Sequence, residues 1–217
     1  MITDDDLTGM RTVHAGFRAE FGRLAEVFAH PRDPAHAELL EEQLALALAV
    51  LHDHHLHEDD HLWPLLLSGA PSSKDELDEL EAEHEQLDPL IAAVADRTLP
   101  REGRALALNE LQLFLRRHVD HEEQIAFPLM LRVLTPDHMV ADRRKAVADF
   151  RRHGVALVFG WIASCLDDDL LAKSVAEQPL LVRVLFRLYW WPFYQRRFRE
   201  LYGAAATVPA SALSGAR

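Results

Sequence analysis

Cysteine is almost absent from the chain. Cys165 stands alone in 217 residues, which excludes an internal disulfide and any all-thiolate metal site. Residues 1–30 carry no charged-then-apolar leader, and with the single thiol this gives the expectation of a reducing, cytoplasmic setting. Long apolar runs are also missing: the longest nearly uncharged one, Gly154 to Leu166, is far short of the roughly 20 residues that cross a bilayer, so it reads as a buried helix and no transmembrane segment is expected. Basic residues are scarce where they would have to mass. Met1 to Pro136 holds 11 basic and 27 acidic residues, and the chain carries a net charge of −12, so nucleic acid is not an expected partner. From Asp137 to Gly203 the balance turns to 11 basic against 8 acidic residues. That shift and the Thr135-Pro136 breaker divide the chain into residues 1–135, an extension over 136–203, and a small-residue tail at 204–217 expected to be disordered.

What the sequence does contain is helical periodicity, with no alternating strand pattern beside it. Leu7, Met10, His14, Phe17, Phe21, Leu24 and Phe28 form one stripe. Asp33-Pro34 announces a second helix by its N-cap and first-turn proline, with the stripe Leu40, Leu44, Ala47, Leu51, His54, Glu58, His61, Leu65. A capping box, Ser73 with Glu76, opens a third whose stripe is Leu77, Leu80, His84, Leu87, Ile91, Val94. The fourth follows Pro100 and reads Leu108, Leu111, Leu115, His118, Glu122, Ile125, Leu129. The expected fold class is all-α: an up-down-up-down four-helix bundle with additional C-terminal helices.

In every stripe histidine or glutamate interrupts the leucines, and the interruptions lie about 9 to 16 residues from one shared end of the bundle, roughly 14 to 24 Å at 1.5 Å per residue. They form one layer. Ionisable groups buried there cost several kcal/mol each unless paired or bound to metal. The layer is also internally repeated. HHLHEDDHLWPLLL from His54 aligns with HVDHEEQIAFPLML from His118, which pairs His54 with His118, His57 with His121, Glu58 with Glu122 and Pro64 with Pro128. His14 and His84 hold equivalent places on the preceding helices, so two similar hairpins are expected about a pseudo-two-fold axis. Pro64 and Pro128 are each expected to kink or end their helix.

His54 with Glu58, and His118 with Glu122, are spaced to present a nitrogen and an oxygen from one helix face to one interior point. With His14 and His84 the candidate ligands number four imidazoles and two carboxylates. One tetrahedral zinc would be saturated by four of them. Six in two equivalent sets suit two metals bridged by the carboxylates and by oxide or hydroxide, with iron favoured and manganese or zinc able to enter.

The pattern H…HxxxE…H…HxxxE, carried by His14, His54, Glu58, His84, His118 and Glu122 together with the LWP and AFP signatures, resembles the hemerythrin-like (HHE cation-binding) family over roughly residues 7 to 134. The resemblance implies a four-helix bundle with a non-haem diiron centre that handles dioxygen, hydrogen peroxide or nitric oxide, or that senses iron or oxygen. Oxygen-carrying members place two histidines a turn apart on the third helix, whereas the positions four before and four after His84 are Leu80 and Asp88. Those members also use a more widely spaced His and Asp on the fourth helix. The likeness is therefore to the bacterial, including actinobacterial, branch, and it implies a diiron oxidoreductase acting on a small oxidant. The alternatives are an iron- or oxygen-responsive sensor or partner-binding module, and a metal buffer without redox turnover.

The remaining histidines divide by helical phase. His52, His55 and His57 are expected on a solvated face, and His121 with them, although His57 and His121 could support a ligand from behind. His61 falls in the seam and could be a further ligand or a supporting donor. Asp88 could orient His84 from one turn away. In the extension, Asp137 to Arg152, Gly154 to Leu166 and Glu177 to Tyr202 read as helices with Asp167 to Asp169 as a turn and a kink at Pro192. The aromatic last helix is expected to cap the bundle or make a homodimer contact, with an amphipathic membrane-surface or partner-binding helix as the alternative.

Overall fold

The computed structural model describes residues 1–166, 168–176 and 178–203, and every regular element among them is helical. The segment 204–217, expected to be disordered, lies outside the described residues. Ten α-helices are numbered in chain order. α1 (Thr8–Val27) follows a 3-10 turn, Asp4–Leu7, whose Asp6 carboxylate accepts from the Thr3 N–H at 2.8 Å. α2 (Pro34–His57) starts on the Asp33 cap, which accepts from the His36 N–H at 2.8 Å. It runs through a π turn, Glu58–Leu62, into α3 (Trp63–Gly69). α4 (Lys74–Ala95) and α5 (Arg101–Val133) complete the bundle. α5 packs along α1 and α4, and α2 along the other side of the same two helices, so the four long rods close into a ring.

Three local expectations are corrected. Ser73 sits at the start of α4 but makes no cap hydrogen bond, because it is buried at the end of the 3-10 turn Pro71–Ser73. Neither proline of the repeat ends its helix: Pro128 lies inside the unbroken α5, and Pro64 follows the π turn. In that turn the Trp63 N–H reaches the Glu58 carbonyl, five residues back, and the extra residue gives the proline ring room. The extra residue also moves the buried phase from 61 and 65 to Leu62 and Leu66, which leaves His61 exposed rather than in the seam.

Apolar side chains form two clusters with the polar layer between them. One holds Leu7, Leu62, Trp63, Leu66, Leu77, Leu80, Ala126 and Phe127 near the shared end. The other holds Phe17, Leu24, Leu51, Leu87, Leu115 and Val119. Along each bundle helix the His or Glu positions fall at the change from one cluster to the other.

The extension forms α6 (Pro136–Arg152), α7 (Val155–Ala163), α8 (Asp168–Ala176), α9 (Leu180–Leu185) and α10 (Trp191–Tyr202). Asp168 begins a helix where a turn was expected, and the expected single last helix is divided by a second π turn, Phe186–Trp190, ahead of Pro192. α7 and α10 share the bundle's core: Trp161, Tyr194 and Phe198 are fully buried in the same cluster as Phe17. The seam is also tied by polar groups. The fully buried Glu20 carboxylate accepts from Gln43 and from the Tyr202 hydroxyl, both at 2.6 Å, with Arg23 at 3.3 Å. Burial pushes the Glu20 carboxyl upward despite these donors. Leu180, Leu181, Leu188 and Phe193 remain exposed on the outer face. No helix among the described residues is long and apolar enough to cross a membrane.

Gly160 is where α7 meets α10, and a Cβ there would fall on the Tyr194 ring. Gly160→Ala should destabilise the protein by about 1–3 kcal/mol, read as a lowered thermal midpoint, because an overpacked core can relax only by moving a helix. An unchanged midpoint would mean that α10 does not hold this position against α7.

Candidate metal centre

Each bundle rod delivers donors to the layer: α1 brings His14, α2 brings His54 and His55, the π turn brings Glu58, α4 brings His84, and α5 brings His118 and Glu122. Glu58 and Glu122 are completely buried, and His14, His84 and His118 nearly so. The donor atoms fall into two groups, each spanning no more than 4.8 Å: His14, His54, Glu58 and Glu122 in one, and His55, His84 and His118 in the other. The carboxylates lie between the histidine sets. Glu58 is 3.2 Å from His54 Nε2 through Oε1 and 3.7 Å from His84 Nε2 through Oε2, while Glu122 Oε2 is 3.3 Å from His14 Nε2 and 4.0 Å from His118 Nε2.

His55 corrects the reading of a solvated face. It is buried, its ring stacks on His84 with centroids 4.1 Å apart, and it meets His118 edge-on at 5.3 Å. A helix surrounded on two sides can turn two adjacent positions inward, His54 toward α1 and His55 toward α4. One stripe per helix misses the second. Its repeat partner is Val119, fully buried, and the apolar character of that position was the signal available in the sequence.

Three carboxylates orient the rings from behind. His14 Nδ1 donates to Glu123 at 3.0 Å, His84 Nδ1 to Asp59 at 2.8 Å and His118 Nδ1 to Glu83 at 2.8 Å. Each fixes the tautomer with a bare Nε2 facing inward. Asp59, Glu83 and Glu123 were not foreseen, though each is the sequence neighbour of a candidate ligand. The support expected from Asp88 is not present: Asp88 is exposed, and Asp59 takes that part. His121 shares Glu83 with His118, at 2.9 Å, and His57 pairs with Asp142 on α6.

These contacts create an electrostatic demand. His84 Nε2 and His118 Nε2 lie 3.1 Å apart, and when both rings are neutral, with both Nδ1 protons given to carboxylates, two lone pairs face one another. Nearby, His14 Nε2, His54 Nε2, His55 Nε2 and all four oxygens of Glu58 and Glu122 are buried without a hydrogen-bond partner. A cation answers both facts. Two nitrogens bound at right angles to one ion at about 2.1 Å stand about 3 Å apart. Phe17 against His54, Phe127 stacked on His14 and Trp63 on His84 form apolar walls.

A family model, the hemerythrin HHE cation binding domain, matches residues 5–153. The chain belongs to the hemerythrin HHE family. The match covers the four bundle rods and continues through α6, so it extends past the boundary expected at residue 135. No curated protein and no solved structure matches the chain. Membership makes this a cation-binding domain, and the two His/Glu groups are the places in the structure that could hold the metal.

Burial, with the neighbouring imidazoles, holds His54 and His55 well below the usual histidine range, and burial with the Glu122 charge holds the Glu58 carboxyl well above its ordinary 4.5. Without metal, folded His54 and His55 bind fewer protons than in the unfolded chain once pH falls below about 6.5, so acidification removes stability. Glu58 acts oppositely, since the stability it gains by keeping its proton is lost as pH rises toward its folded pKa. A bound cation requires neutral imidazoles and an ionised Glu58. Because His54 and His55 are held neutral, the proton released on binding comes from Glu58, and metal affinity should fall as pH is lowered through the raised folded pKa of that carboxyl, measured by calorimetry in buffers of different ionisation enthalpy. A pH-independent affinity would contradict this assignment.

Proposed function

We propose that the layer binds two iron ions and that the protein binds or turns over a small oxidant, with dioxygen, hydrogen peroxide and nitric oxide as the chemical class. The observation that carries the reading is the pair of facing Nε2 lone pairs on His84 and His118, beside seven further unpartnered donor atoms. His14 and His54 would serve one ion, His55, His84 and His118 the other, and Glu58 and Glu122 both. Such an iron pair supplies electron exchange with a small oxidant.

The chain's own residues do the rest. Asp59, Glu83 and Glu123 hold the Nδ1 protons, so the rings cannot turn away. Under the pseudo-two-fold relation Val119 stands where the His14/His54 side would have its third imidazole, which leaves that side one donor short and open to a small ligand. Phe17 and Phe127 give that side apolar walls, and Trp63 does the same beside His84. His61, exposed in the π turn, and His57, paired with Asp142, stand outside the proposed ligand set.

A second reading, a sensor or partner-binding module, is supported by the exposed apolar residues Leu180, Leu181, Leu188 and Phe193, through which a second copy or another protein could dock. The two readings share the metal centre and differ in turnover.

Anaerobic loading with Fe(II) should give two irons per chain. His55→Leu should reduce this to about one, and His52→Ala, altering an exposed residue of the same run, should leave it at two. On exposure to air the loaded protein should develop a ferric charge-transfer band that changes on adding peroxide. Equal losses in the His52 and His55 variants would favour metal buffering by the whole run, and a loaded protein without the band would remove oxidant chemistry.

A further inference from the structure

Two cavities adjoin the N-terminal part of α1. One, of 220 Å³, lies between α1, α2 and α6 and has His54 on its wall. The other, of 340 Å³, lies between α1 and α7 to α9, lined by side chains such as Phe159, Leu171, Val182 and Phe186. They share Asp6, Gly9, Val13 and Arg143 as wall residues, so they are two lobes of one cleft that meet over Gly9 and Val13. Gly9 and Val13 are one turn apart on the same face of α1. A Cβ added at Gly9 would meet no atom within 4 Å, so the helix leaves this volume open at its centre.

The walls are mainly apolar, and their charged residues are of both signs: Asp6 and Arg143 line both lobes, and Asp5 and Arg183 the outer one. The acids of the inner lobe already have partners: Asp142 is hydrogen-bonded to His57, Asp53 to His153 at 2.7 Å and to Arg152 at 3.1 Å, and Asp149 pairs with Lys145 at 3.2 Å. Asp6 is occupied by the Thr3 backbone and hydroxyl. For scale, an apolar cavity of about 150 Å³ is sufficient for benzene, and either lobe exceeds that. A diatomic molecule needs far less room than this.

We propose that the cleft is a binding site for a neutral, mainly apolar small molecule of aryl or short-alkyl size, whose inner end abuts His54. The statement about His54 rests on the metal reading above; the binding site itself does not. It names a second ligand class, larger than the diatomic and peroxide oxidants, and it gives the C-terminal helices a part in the site because α7 to α9 build the outer lobe.

The test uses the metal-free full chain and the neutral fluorescent probe N-phenyl-1-naphthylamine. Saturable binding at one probe per chain is expected. Gly9→Phe, which places a ring at the junction of the lobes, should weaken it at least tenfold with an unchanged circular dichroism spectrum. Should Gly9→Phe fail to fold, Val182→Glu on the outer wall should give the same loss by placing a charge there. The anionic analogue 1-anilinonaphthalene-8-sulfonate should bind at least tenfold more weakly than the neutral probe. Absence of probe binding, or equal affinity in a folded variant, would overturn the site, and equal affinity for the anionic analogue would overturn its neutral class. Iron uptake measured in parallel separates the two ideas. Probe binding with the expected variant effects but no iron supports the cleft and removes the metal reading, whereas iron uptake without probe binding overturns the cleft alone.

Discussion

The structure turns on two imidazole nitrogens held face to face in the centre of a helical bundle. His84 and His118 each give their Nδ1 proton to a carboxylate, so in the neutral rings the atoms they bring to within 3.1 Å of one another both carry lone pairs. Nothing in an apolar core favours that arrangement. Removing several ionisable groups from water costs several kcal/mol each, and the cost is offset only when the charges and lone pairs find a partner of the opposite sign. Two apolar clusters above and below the layer, and a tautomer-fixing carboxylate behind three of the rings, keep the donors from escaping that demand. The bundle thus holds open a site whose stability is completed by what it binds.

The extension is part of the same object. Trp161, Tyr194 and Phe198 enter the core that contains Phe17, and Phe17 is itself against the His54 ring. The path from the C-terminal helices to the histidine and glutamate layer is therefore two side chains long. α10 covers one side of the bundle with its buried face while the segment before it shows leucines to the outside, which divides the aromatic C-terminal stretch between packing and exposure.

Much of this was legible in the sequence because a bundle is one-dimensional in its grammar. A stripe of leucines broken once by histidine or glutamate names an inward residue, and four such stripes with breaks at one depth define a layer; His14, His54, Glu58, His84, His118 and Glu122 all follow from that rule. The rest escaped for identifiable reasons. His55 lies beside the stripe, not in it, and faces inward because α2 is flanked by both α1 and α4. His61 was read as inward because periodicity cannot register the extra residue of a π turn, although Trp-Pro follows both π turns among the described residues and is the local mark they share. Asp59, Glu83 and Glu123 act across helices, on rings of a different element, and no spacing within one helix reveals such a partner.

The most direct measurement of the central claim is the unfolding stability of the metal-free double variant Glu58→Leu/Glu122→Leu, compared with metal-free wild type and with both after adding Fe(II). If the layer is built for metal, removing its buried carboxylates should leave the metal-free protein at least as stable as wild type, since apolar groups of similar volume replace unsatisfied ones. Fe(II) should then raise the midpoint of wild type and leave the variant unmoved. A metal-free variant clearly less stable than wild type, together with a wild type indifferent to Fe(II), would show that the polar layer is a structural hydrogen-bonded core and would contradict the account.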